Sequence, residues 1–230
     1  MSELSPCARC SEGCCREYLV TVTGLDVYRI TRGLGLAPGQ FVVAAPVGDR
    51  HVEGFRLAAD GERFQLALDK RREGERAGWC VFWMPLGAAG AGRCGIYAHR
   101  PQVCRTYPAT LVDGEVARRD DVLCPAGSWG PGSALASPAW RRRAERQFAE
   151  YELDAIVNHR WNEHAAIAEG DDPLDAYVSW MLGVYATLDA APGAPLDWEG
   201  PHRGVLAALH EVLAEQPQPA AVDSGQGRSS

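Results

Sequence analysis

The chain has 230 residues, 46% of them hydrophobic, enough to bury a sizeable core in one full domain with a helical extension. Thirty acidic against 23 basic side chains give a formal net charge of −7, so no basic field opposes phosphates and a dedicated nucleic-acid binder is not expected. The opening MSELSPCARCSEGCC has neither a basic n-region nor an apolar h-region, and the longest apolar stretch, 176–188, is shorter than the roughly 18 residues a membrane span needs. A cytoplasmic protein without a membrane span is the expectation.

In chain order, residues 17–23 alternate, with Tyr18, Val20 and Val22 on one side, which predicts a strand. Thr23 followed by Asp26 forms an N-capping arrangement. Val27, Ile30 and Leu34 then recur at helical spacing until Gly33 and Gly35 supply a stop, predicting a helix over about 24–33. Residues 55–57 and 63–68 flank the turn-rich Ala59-Asp60-Gly61-Glu62 and predict a hairpin; 110–116 bends again at Asp113-Gly114. The run GAAGAG at 87–92 reads as a loop, with no following lysine and no strand-to-helix context for a phosphate loop. Ser137-Pro138 opens a long helix reaching about His164, with Trp140, Ala144, Phe148, Tyr151 and Ala155 on one stripe. A second helix follows Asp172-Pro173, with 176–188 buried in it, and a third covers about 205–215; the tail from Gln216 has a disordered composition. The predicted class is α+β. A small, irregular cysteine-rich metal-binding domain with short hairpins and helices over 1–130 precedes a helical extension over 131–215 and a tail over 216–230.

Eight cysteines in a reducing compartment point to metal more than to disulfides. Cys7 and Cys10 form a CxxC, whose two intervening residues aim both sulfurs at one metal, and Cys14 and Cys15 follow after three more residues. Adjacent side chains on extended backbone point apart, so Cys14 and Cys15 suit different metals, or one ligand and one packing role. Cys80, Cys94, Cys104 and Cys124 share no CxxC and meet only through folding, so that a site joining them to the leader closes long loops. Cys80, between Trp79 and Val81, is the one most readily read as a small buried hydrophobe. Pro101 predicts a short helix carrying Cys104 near its positive end, flanked by Arg100 and Arg105, an environment expected to favour thiolate.

The run CARCSEGCCREYLVTVTGLDVYRI, then WCVF, RCGIYAHRPQVCRTYP and a last cysteine in LCP, resembles the YkgJ-type cysteine-cluster proteins over about residues 5–126. The resemblance implies a zinc- or iron-chelating or iron–sulfur-containing domain, with all eight cysteines, Cys7, Cys10, Cys14, Cys15, Cys80, Cys94, Cys104 and Cys124, as candidate metal ligands by position. It favours an iron–sulfur cluster, 4Fe-4S first, in electron transfer or redox chemistry, with zinc as the alternative. The leader departs from the family's CxxCxxCC, since Ser11, Glu12 and Gly13 separate Cys10 from Cys14. Some relatives are associated with lysine methylation of flagellin, so a lysine N-methylase-like enzyme acting on a protein substrate is a second reading and a structural zinc protein a third; whether the chain is an enzyme stays open. No Rossmann-type loop for S-adenosylmethionine is found. A protein partner or a protein substrate fits these readings, and the sequence specifies no oligomeric state.

Other residues weigh less. His159 and His164 are five apart, about 140° around a helix, which does not suit one shared metal. His99 between Cys94 and Cys104 is a minor ligand candidate. Tyr97 and Tyr107 are candidates to screen a cluster, and Arg141, Arg142, Arg143 and Arg146 read as a solvated face paired with Glu145 and Glu150.

Overall fold

The structure, a computed structural model, describes residues 13–48, 53–74, 77–86, 92–113, 115–119, 122–124, 137–163, 172–191 and 203–215. It is α+β, with short helices and small antiparallel sheets in the first part of the chain and long helices in the second. Two compact units interleave along the sequence: Met1–Val43 with Leu66–Tyr151, and Ala44–Gln65 with Glu152–Ser230.

The first unit opens with α1 (Cys14–Glu17). Its start is closed by the Gly13 carbonyl, which accepts from the Arg16 and Glu17 amides at 2.8 and 2.6 Å. The strand expected over 17–23 is reduced to an isolated bridge between Thr21 and Ala67. The cause is local: Glu17 belongs to α1 and the Tyr18 amide bonds back to the Cys14 carbonyl, so pairing survives only through Val22 N–H to Leu66 and Leu68 N–H to Val20. Helix α2 (Gly24–Leu34) has the predicted capping box. Thr23 and Asp26 each accept the other's backbone N–H, and Gly35 stops the helix at φ 67°, where a side chain would be strained. Leu25, Val27 and Ile30 are buried, as the periodicity requires.

Strands β1 (Val42–Pro46), β2 (Phe55–Arg56) and β3 (Arg63–Leu68) form a sheet in the order β1-β3-β2, with Phe55 opposite Phe64 in the predicted hairpin. In the first unit, β4 (Trp83–Pro85) pairs with β5 (Gly92–Cys94), which sets Cys94 across from Trp83. Gly92, expected in a loop, is already strand, while 87–91 lie outside the described residues. Only glycine fits at Gly92, because a Cβ there would fall within the Trp83 indole. A 3-10 turn (Tyr97–His99) leads to α3 (Gln102–Thr106), with Pro101 as its N-cap. The hairpin of β6 (Ala109–Val112) and β7 (Glu115–Arg118) follows, turning at Asp113 with φ 51°.

Helix α4 (Pro138–Asn162) starts where predicted, and the expected end at His164 lies outside the described residues. Its stripe holds at Trp140 and Ala144 and fails at Phe148 and Tyr151, which are 44% and 37% exposed. The buried positions are instead Ala149, Glu150, Leu153, Val157, Asn158 and Trp161.

In the second unit Phe55 stacks on Tyr177 at 3.8 Å, and Trp161 meets the same tyrosine edge-on at 5.3 Å. The polar ends of this aromatic cluster are satisfied: Trp161 Nε1 donates to the Arg56 carbonyl and the Tyr177 hydroxyl to Asn158 Oδ1. Helix α5 (Pro173–Ala190) is capped by Asp172, whose carboxylate accepts the Leu174 and Asp175 amides, and it packs on α6 (Arg203–Glu215). Tyr177, Val178, Met181, Val184, Tyr185 and Leu188 bury the apolar stretch read from the sequence. Among the described residues no helix is long and apolar enough to cross a membrane.

Candidate metal centre

Six cysteines fall among the described residues, all free thiols, and Cys7 and Cys10 lie outside them. Cys14 and Cys15 open α1, where helical backbone, not the extended backbone expected, sets them side by side with a hydrogen bond between their side chains. Cys80 is buried, and its amide donates to the Cys15 carbonyl at 2.6 Å. Cys94 ends β5, and Cys104 sits in the middle of α3.

These segments are far apart in sequence, yet the thiols sense one another. The Cys80 thiol is pushed up first by burial and also by the charges of Cys94 and Cys14. Burial again leads at Cys94, with Cys14 adding to it. Cys104 is pushed well up by burial and then by Cys14, Cys94 and Cys80. Cys14 is held up first by its hydrogen bond to Cys15, then by burial. The charge of Cys14 acts on Cys80, Cys94 and Cys104, so these thiols from four segments share one electrostatic neighbourhood. Cys80, the thiol most open to a plain packing role, is the one buried cysteine among the described residues. Cys124 packs, partly buried, against Ala109 and Trp140.

The surroundings of Cys104 oppose the thiolate expected there, because desolvation and then the neighbouring negative charges outweigh a helix of one turn. Arg105 does not turn the balance. Its guanidinium braces the preceding loop, donating to the carbonyls of Arg100 and Ala98 at 2.8 and 2.5 Å. Arg100 does act on the site: it lies over the Tyr97 ring at 3.9 Å, and its charge lowers Cys14 and Cys94.

Lys70 is a second cation here, and nothing in its local sequence marks it. It bridges to Cys80 in antiparallel register, and its ammonium donates to the carbonyls of Cys15 and Arg16 at 3.2 and 2.8 Å. It thereby caps the end of α1 with positive charge. Burial lowers its basicity while the charges of Cys80, Cys15 and Cys14 raise it.

The remaining candidates take structural places. The His99 imidazole lies against the backbone of α2 at Gly33, where a Cβ would come within 2.5 Å of the ring. His159 faces Glu163 at 3.7 Å on exposed surface, and His164 is outside the described residues. The Tyr107 hydroxyl accepts the Leu123 amide and its ring meets Tyr18 edge-on. Arg141 pairs with Glu115 and Glu145 on the surface as expected, but Arg146 reaches a glutamate, Glu150, whose side chain is fully enclosed.

As a donor set the gathering is soft sulfur, suited to zinc, iron and iron–sulfur clusters, with Arg100 and Lys70 placed to offset thiolate charge. Among the described residues no three cysteine, histidine, aspartate or glutamate side chains come close enough to enclose a metal ion on their own.

Fold and site together define a cysteine-rich α+β protein with one buried thiol, Cys80, and partly buried thiols at Cys14, Cys94 and Cys104. Residues 6–125 match the model of the family described as "CxxCxxCC: Putative zinc- or iron-chelating domain", a stretch that holds every cysteine of the chain. The chain belongs to this family, and the match supports binding of zinc or iron. No curated protein and no solved structure matches the chain.

Proposed function

We propose that the protein holds an iron–sulfur cluster, 4Fe-4S first, through cysteine thiolates and serves in electron transfer or redox chemistry, with zinc or mononuclear iron as the alternative occupant. The ligands are drawn from Cys14, Cys80, Cys94 and Cys104 together with the leader's Cys7 and Cys10, while Cys15 and Cys124 stand next to this set. The observation that carries the reading is the gathering itself. Cys14, Cys80, Cys94 and Cys104 come from separate segments, and the charge of Cys14 opposes ionisation of the other three, an opposition that a bound cation relieves.

Bound iron would supply one-electron chemistry, and bound zinc a cross-link between the segments. The chain's own contribution is legible. Lys70 and Arg100 offset thiolate charge, Trp83 and the β4–β5 pairing place Cys94, and α3 places Cys104. A reducing, cytoplasmic setting, where thiols persist, suits such a site. Separate replacement of Cys94 and Cys104 by serine tests the reading: each variant should lose bound metal on anaerobic purification while retaining helical circular dichroism. Full metal retention by both would remove the proposed ligand set.

A further inference from the structure

We infer that Asp26 is a positioning residue for the thiol gathering: its buried carboxylate joins the first turn of α2 to the first residue of α3 and so fixes where Cys104 is held. The inference rests on the metal-centre reading for its purpose, and on geometry alone for its substance.

A capping box ordinarily lies at the surface, and its carboxylate serves only its own helix. Asp26 differs on both counts, being 4% exposed and having a partner 76 residues away. Its Oδ2 accepts the Thr23 amide at 3.3 Å, completing the cap, while Oδ1 accepts the Gln102 amide at 2.8 Å. Gln102 begins α3, and its N–H is one of those a helix start leaves without an internal partner. A helix of five residues does not hold itself in place, because nucleation is unfavourable and few bonds follow it.

α3 is therefore placed by its attachments. On the α4 side, Gln102 Nε2 donates to the Arg143 carbonyl at 3.0 Å and the Thr106 hydroxyl bonds the Gln147 side chain. On the α2 side the attachment is Asp26, which accepts the amide of Gln102, two residues before Cys104 along α3. Burying a carboxylate is unfavourable unless it is hydrogen-bonded, and here the two amides and the charge of Arg29 offset part of that cost. A neutral cap would have served α2 alone at less cost, so burial is accounted for by the bond to α3.

The test uses the full chain, metal-free and reduced, given a short pulse of iodoacetamide, with alkylation read cysteine by cysteine by mass spectrometry. Asp26→Ala should speed alkylation of Cys104 about tenfold or more, the loss expected for one charge-assisted hydrogen bond, and leave Cys80 and Cys94 within about twofold. An independent pair isolates the amide: Gln102→Pro removes the N–H at a position where proline suits a helix start, and Gln102→Ala keeps it while removing the side chain. Gln102→Pro should expose Cys104 more than Gln102→Ala does. Equal acceleration at every cysteine, an unchanged Cys104, or identical behaviour of the two Gln102 variants would overturn the inference. Cys104-selective exposure in a protein that binds neither iron nor zinc would sink the metal reading and leave Asp26's role intact.

Discussion

Replacing Glu150 by alanine removes the carboxylate shared by Arg29 and Arg146. The Glu150 side chain is fully enclosed, and its Oε1 accepts from Arg29 Nη1 at 2.8 Å and Arg146 Nε at 2.9 Å. Removing one partner from a buried ion pair costs about 3–5 kcal/mol, because the other charge is left behind without compensation. The two arginine side chains are 21% and 26% exposed, so water takes over part of their solvation and the lower end, about 3 kcal/mol, is expected. For a chain of this size that corresponds to a drop of roughly 6–12 °C in melting temperature. Glu150→Gln keeps an acceptor at the same place and should lose about half as much. Urea titration of the reduced, metal-free protein by tryptophan fluorescence measures both, and hydrogen exchange in α2 and α4 locates the loss. Arg141→Ala is the control: its pair with Glu115 is exposed at both ends and should leave the midpoint unchanged. A Glu150→Ala midpoint equal to the control's would refute the reasoning.

Gly92→Ala should open the β4–β5 pairing, since Trp83 has to leave the space a Cβ would take, at a cost of about 1–3 kcal/mol; unchanged tryptophan emission and unchanged amide exchange at 92–94 would contradict this. Burial, with the charge of Glu150 behind it, pushes the Asp26 carboxyl up to about 6 from 3.8. Because the folded value lies above the unfolded one, the fold favours the protonated form. Asp26's contribution to stability is therefore full below about pH 4 and lost as pH rises through about 6, a change of roughly 3 kcal/mol. In metal-free protein the stability of wild type relative to Asp26→Asn should accordingly fall between those pH values, and parallel profiles would count against it. Lys70→Met removes the ammonium that caps α1 beside Cys15 and should weaken Zn²⁺ binding about tenfold, as loss of an outer-shell partner does; equal affinity in chelator competition would show that Lys70 does not support the site.

What could be read in advance was mostly local. The Thr23–Asp26 box, the Asp172-Pro173 start of α5 and the turn at Asp113 each depend on neighbours within a few residues, so their chemistry is written in adjacent letters. The face of α4 was not, because the position that replaces part of the apolar stripe is Glu150, and periodicity discounts a glutamate whose burial depends on Arg29 in another helix. The candidate site divides in the same way. The presence of cysteines and their soft chemistry were evident, and the family motifs marked them. That Lys70 serves α1 and that Asp26 reaches α3 are consequences of contacts between segments 54 and 76 residues apart, which spacing does not encode. The expectation of a thiolate at Cys104 failed for a related reason: helix position and flanking arginines are local, while the burial and negative neighbours that decide the matter are not.

The claim that the gathered thiols hold metal is tested most directly by elemental analysis, with an absorption spectrum, of full-length protein purified without oxygen. The account predicts tightly bound iron with sulfide in near-equal amount and a broad thiolate-to-iron absorption, zinc in whole-number stoichiometry marking the alternative occupant. A folded preparation containing neither iron nor zinc would contradict it.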